Sequence, residues 1–260
     1  MSGTVLSVGL DKIGGKMKTL CWLLGGYPSI SENERILEAY VKGGCDGIEW
    51  SIPVADPYRE QAHLKPWALK AFENCPDFSE HLNSIEKFRK KYPSIEIYPG
   101  IYMEMTLVVG IDNIIGFFKK NNIDTIFLVG TYSQDLIDIY KNSGLKIAKS
   151  SVSYYLRDEE ISNAKDGTGF IYLQALPYES EIKAGYTSER LRECVALLKK
   201  ECPGRPIYCA KGIRKMEDLR IIKEAGADGY ILGSILADYY GDLGKLEEVI
   251  KAYKNYAESI

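Results

Sequence analysis

Short apolar runs recur along this chain at residues 19–24, 47–51, 95–102, 125–129, 145–149, 169–173, 206–209 and 229–232, and each is followed by residues with apolar positions at helical spacing. Helices are expected over 29–41, 60–72, 78–91, 111–121, 133–141, 157–164, 188–200, 215–225 and 243–257, with Ser31 as N-cap of the first. Eight strands, each followed by a helix, predict an α/β fold, a (β/α)8 TIM barrel forming a single domain over residues 1–260. An open doubly wound sheet has fewer units and needs a glycine-rich dinucleotide turn after its first strand, which is missing here. No linker or low-complexity stretch interrupts the alternation.

Bulk properties narrow the partners. A net charge of −3 gives no reason to expect nucleic acid or an anionic membrane. No apolar run is long enough to span a bilayer, and the first residues lack the apolar core of a secretory signal. Cys21, Cys45, Cys75, Cys194, Cys202 and Cys209 are scattered without a Cys-x-x-Cys pair, which reads as reduced, mostly buried thiols of a cytoplasmic protein. With His63 and His81 as the two histidines, a histidine-rich metal centre is excluded, and no metal is expected. His81 opens a helical stretch and is expected at the surface.

Glu49 breaks the apolar rule of a strand covered on both faces. A carboxylate near the C-terminal end of an interior strand is costly unless paired or used, and in a parallel barrel that end carries the catalytic groups. Glu60 lies on the loop beyond Pro57, and two carboxyls in one cleft can be driven to different pKa values, leaving one as acid and the other as base. The plainer reading of Glu60 is a solvated residue paired with Arg59, and Asp56 before Pro57 suits a turn. Trp22, Tyr102, Phe127 and Tyr172 sit at or near strand C-termini, as barrel core or as a flat slot for a planar substrate ring. After the seventh and eighth strands, Lys211 and Gly212, then Gly233 and Ser234, make the loop pair that cradles phosphate in such barrels, with Arg214 as added charge. The alternative is that these glycines only make turns.

At these residues the sequence resembles the tryptophan synthase α-subunit family. Gly26-Tyr27-Pro28 matches its first loop, 44–49 with 52–57 follow its second-strand signature, and 226–234 follow its last strand and phosphate turn. The resemblance implies a lyase that splits indole-3-glycerol phosphate into indole and glyceraldehyde 3-phosphate, a small phosphorylated substrate. It implies Glu49 as the proton-shuttling glutamate, and Glu60 where the family stabilises charge at the indole nitrogen with an aspartate. It also implies a separate β subunit as partner, which carries pyridoxal phosphate; no cofactor is expected on this chain.

The sequence departs from the family around that frame. Tyr58 to Lys65 replaces the run after Asp-Pro, bringing His63 to a hydroxyl position. Glu104 replaces an asparagine, Gly130 an aspartate, and Ala210 the first glycine of the pattern GFGI. Residues 174–181 replace a glycine-containing lid with bulky and acidic side chains. Two alternatives therefore stand beside the lyase: a paralogue acting on another phosphorylated substrate without a β partner, and a non-catalytic phosphometabolite-binding barrel.

Overall fold

A computed structural model describes residues 16–149 and 152–260. The expectation about a secretory signal falls on the first residues, outside the described ones. β1 (Lys18–Leu24), β2 (Gly47–Ser51), β3 (Glu96–Tyr102), β4 (Thr125–Val129), β5 (Lys146–Ala148), β6 (Ile171–Gln174), β7 (Ile207–Ala210) and β8 (Gly229–Leu232) form one parallel sheet in the order β5-β4-β3-β2-β1-β8-β7-β6. The seam between β5 and β6 is narrowed by a parallel bridge from Val152 to Leu173, so the sheet curls into the expected barrel.

The period-two alternation of strands sorts the core into two layers. Leu20, Trp22, Tyr98, Phe170, Tyr172, Tyr208 and Ile231 pack inside the barrel. Ile48 and Trp50 of β2 face the helices α1 (Ile30–Lys42) and α3 (Phe78–Lys91), in the layer that also holds Ile36, Tyr40 and Phe88. Fully burying such side chains contributes roughly 1.5–3 kcal/mol each, which offsets the cost of an acid in the middle of the same strand. The closing helix (Leu243–Ser259) is tied to β1 through the turn before β2: Lys254 Nζ donates to Asp46 Oδ1 at 2.8 Å, and Asp46 Oδ2 accepts from Thr19 N at 2.8 Å.

Several local expectations are corrected. Ser29, not Ser31, caps α1, accepting from Glu32 N at 3.2 Å, because the helix begins two residues after Pro28. The helix expected from residue 60 starts as α2 (Lys65–Asn74); residues 57–64 instead form turns, with Glu60 N bonded to Pro57 O and Leu64 N to Gln61 O. α4 (Met103–Val109) and a short helix over Glu179–Lys183 were not expected. His81 is buried in α3, with Nε2 2.9 Å from Cys75 O and its pKa lowered by burial. It falls on the inner stripe with Phe78, Ser84, Ile85 and Phe88, which is helical spacing rather than chance. All six cysteines are free and buried. Among the described residues no helix is long and apolar enough to cross a membrane.

Candidate active site

Glu49 is held from both sides, opposite Trp22 of β1 and Tyr98 of β3. It is 4% exposed and points into a cavity of about 810 Å³ at the C-terminal mouth of the barrel. Its Oε2 is buried without a hydrogen-bond partner. Burial, and then repulsion from Glu60, push the carboxyl up to about 8, while Lys211 and the Tyr172 hydroxyl pull the other way. The shift favours the protonated form of Glu49 at neutral pH.

Glu60 enters the same cavity from the turn beyond Pro57. Burial raises its pKa, and Lys211 with the Tyr102 hydroxyl restrains the rise. Arg59 also lines the cavity, but among the described residues no ion pair joins it to Glu60. Tyr58 fastens this turn. Its hydroxyl accepts from Thr131 N at 3.0 Å and sits 2.0 Å from where a Cβ on Gly130 would be, so Gly130, at φ 87°, has to lack a side chain. Asp56 is exposed, 3.7 Å from Lys65 Nζ.

Trp22, Phe127 and Tyr172 border the cavity. Trp22 Nε1 donates to Ser51 Oγ at 2.8 Å, and Phe127 stacks on Tyr172 with centroids 5.2 Å apart. Tyr102 does not reach the cavity wall. It stands behind Glu60, its ring edge-on to Tyr58 at 5.6 Å and its hydroxyl buried without a well-formed hydrogen bond. Glu104 lies on α4, away from the cavity, whereas His63 is at its exposed rim.

Gly212, Arg214, Gly233 and Ser234 also line the cavity, at the loop after β7 and the start of a 3₁₀ turn (Ser234–Tyr239). A Cβ on Gly233 would meet nothing within 4 Å, so its backbone borders open space. A Cβ on Gly212 would lie 3.0 Å from Leu176, and the residue sits at φ 92°. Asp218 pins the loop by accepting from Arg214 N at 2.8 Å and Lys215 N at 3.0 Å. Lys211 is set apart from these groups: its Nζ is 5.5 Å from the centre of the Tyr172 ring, and its charge interacts with both carboxyls. Burial lowers its pKa, Glu49 and Glu60 opposing.

The rewritten loop after β6 folds over the mouth. Glu181, buried, accepts from Gln174 Nε2 at 2.5 Å and Tyr178 N at 2.8 Å, and Gln61 Nε2 donates to the Tyr178 hydroxyl at 2.9 Å across the opening. Leu176, Pro177 and Tyr178 thereby join the lining, as does Trp67 of α2, stacked on Tyr27 at 5.3 Å. Sequence reasoning missed Gln61, Trp67 and Tyr178. Gln61 stands beside Glu60 and Tyr178 in the altered loop, so both had a signal; Trp67 had none. Among the described residues no cluster of His, Cys, Asp or Glu could hold a metal ion.

Residues 12–259 match the sequence model of the family described as Tryptophan synthase alpha chain. The chain is similar to the tryptophan synthase alpha chain of Aeromonas hydrophila, 28% identical over 218 residues that make up 80% of this chain and 78% of that one. It is similar to that of Arabidopsis thaliana at 24% over 256 residues, 96% of this chain and 90% of the other. Its fold is similar to tryptophan synthase subunit alpha from Legionella pneumophila, with a TM-score of 0.79, 18% identity and 94% of both chains covered. A chain of the tryptophan synthase complex from Pyrococcus furiosus gives a TM-score of 0.75 at 20% identity, covering 94% of this chain and 98% of that one.

Proposed function

Because this chain belongs to the tryptophan synthase alpha chain family, we propose that it is a lyase cleaving indole-3-glycerol phosphate to indole and glyceraldehyde 3-phosphate. The observation that carries the reading is Glu49: a buried carboxyl on a barrel strand, one oxygen unpartnered, facing a cavity shared with a second carboxyl. Glu49 delivers its proton to the ring carbon that bears the side chain. Glu60 faces the ring nitrogen, where positive charge then develops. The ionised Glu49 next takes the proton of the adjacent side-chain hydroxyl. As that oxygen becomes a carbonyl, the carbon–carbon bond breaks and its electron pair returns to the ring, so no net proton is consumed.

Trp22, Phe127 and Tyr172 supply apolar walls for the indole, and Tyr102 backs Glu60 without touching substrate. Gly212, Gly233 and Ser234 offer backbone N–H groups to the phosphate, with Arg214 adding charge. A β subunit is the proposed partner. Tyr58, Leu107 and Val108, at 50%, 68% and 69% exposure, present apolar surface on the segments after β2 and β3 that such a partner would cover. We take residues 1–260 as one domain and the cytoplasm as the site of action.

The test is indole release from indole-3-glycerol phosphate by the folded chain, with and without a β subunit. Release that disappears in Glu49→Gln is expected; no release from the wild type under either condition defeats the reading.

A further inference from the structure

Cleavage by two carboxyls leaves Lys211, which lines this cavity, without a task. Lys211 directly follows β7 with its backbone at φ 67°, a left-handed conformation that costs a non-glycine residue on the order of 1 kcal/mol. Its side chain lines the cavity, over the ring of Tyr172 and within electrostatic reach of Glu49 and Glu60. In the pattern GFGI, carried here as Ala210 to Ile213, an amine stands at the place of an aromatic ring. The amine can lie over a flat ring, as it does over Tyr172, but an aromatic residue would hold indole without burying a charge.

The neighbours of Lys211 give the exchange a chemical use. Gly212, the next residue, belongs to the loop proposed for phosphate, so the amine shares the cavity with an anion site and two acid–base carboxyls. Burial holds its pKa below that of an exposed lysine, which raises the share of neutral amine. A nucleophilic amine, an acid to carry off oxygen, a base to take the nitrogen proton and an anchor for an anionic tail are the set that imine formation requires.

We propose that Lys211 Nζ forms a Schiff base with the carbonyl carbon of a phosphorylated aldehyde bound in this cavity. The identity of that aldehyde, the three-carbon product of cleavage, rests on the lyase reading. The nitrogen lone pair adds to the carbonyl carbon while the carbonyl π pair moves to oxygen, which takes the proton of Glu49. Glu60 accepts the proton lost from nitrogen, giving a carbinolamine. Its hydroxyl then leaves with the Glu60 proton as water, and the nitrogen pair closes the C=N bond. One water is released per aldehyde, no oxidant or reductant is used, and hydrolysis reverses the sequence.

The experiment treats the folded chain with glyceraldehyde 3-phosphate and then sodium borohydride, and maps the adduct by intact-mass and peptide mass spectrometry. One adduct per chain is expected, heavier by the aldehyde less one oxygen, on the peptide that holds Lys211. It is expected to be suppressed by excess inorganic phosphate and lost in Lys211→Arg, which keeps the charge but not the nucleophile. Adducts scattered over exposed lysines of the wild type overturn the proposal, as does equal labelling of a Lys211→Arg variant with wild-type circular dichroism. Indole release by the same wild-type sample separates the two claims. An adduct on Lys211 without release keeps the Schiff base and removes the lyase reading; release without an adduct does the opposite.

Discussion

At the N-terminal end of the strands, Lys18 Nζ lies 2.5 Å from Glu96 Oε1, and the Tyr98 hydroxyl donates to Glu96 Oε2 at 2.6 Å. At the C-terminal end, Glu49 Oε2 and the Tyr102 hydroxyl are buried with no such partner. Inside the barrel, the polar side chains named at one end pair with one another, and two at the other end do not. A buried acceptor without a donor costs roughly 1–3 kcal/mol, so a chain selected only for stability would pair or remove it. The base of the barrel is built to hold; the mouth keeps capacity for a ligand.

Substitutions at the two ends should separate stability from turnover. The largest effect is expected for Glu49→Gln, with kcat reduced about 10³-fold or more, as for loss of a proton-transfer group. The same variant should be the more stable protein at high pH. With its folded pKa raised from 4.5 to about 8, Glu49 favours folding least once ionised: wild-type stability falls between these values, and the deficit is complete above them. Relative to Glu49→Gln that deficit is on the order of 4–5 kcal/mol, readable by denaturant titration at a series of pH values. Wild-type kcat/KM should fall as pH rises through about 8, where Glu49 loses the proton it donates first. A flat profile there, or a mutant stability with no pH-dependent gain, breaks the contrast.

Next is Glu60→Asp. Shortening the side chain that this cavity is built around withdraws the carboxyl by about 1 Å, and kcat should drop roughly a hundredfold with little change in melting temperature. Gly130→Ala should act more weakly on turnover, about tenfold. The new methyl displaces the Tyr58 hydroxyl and with it the turn that presents Glu60, at about 1–2 kcal/mol of added strain at positive φ. The smallest effect belongs to the base. Lys18→Met should lower stability by at most about 1 kcal/mol, because both partners are partly exposed and screened, and should leave kcat unchanged. A loss of turnover in Lys18→Met as large as in Glu60→Asp would erase the distinction between the two ends.

Much of the frame was legible because it is written locally. β2, β4, β8 and α3 fall where the periodicity placed them, since each pattern is complete within one element. The expectation of an acid within the buried strand β2 needed nothing beyond Glu49 among Ile48, Trp50 and Ile52. Segments whose shape is set by other parts of the chain were not legible. Residues 60–64 have helical composition but form turns that Tyr58 fastens to the backbone after β4. His81 carries no mark of burial except its spacing from Phe78, Ile85 and Phe88. Lys211 looked like a companion of the phosphate glycines, and nothing near it in sequence announced two carboxyls.

By itself the sequence determined the alternation of strands and helices, and hence a parallel barrel with one costly acid in a buried strand, because hydrophobic periodicity is a short-range property. Only the tertiary structure decided that Glu49, Glu60, Tyr172 and Lys211 share one cavity, that Tyr102 stands outside it, and that Gln61 meets Tyr178 across the mouth. These residues are far apart along the chain, and closure of the barrel is what makes them neighbours. The pKa of about 8 at Glu49 arises from that closure, which takes water away and brings a second carboxyl near.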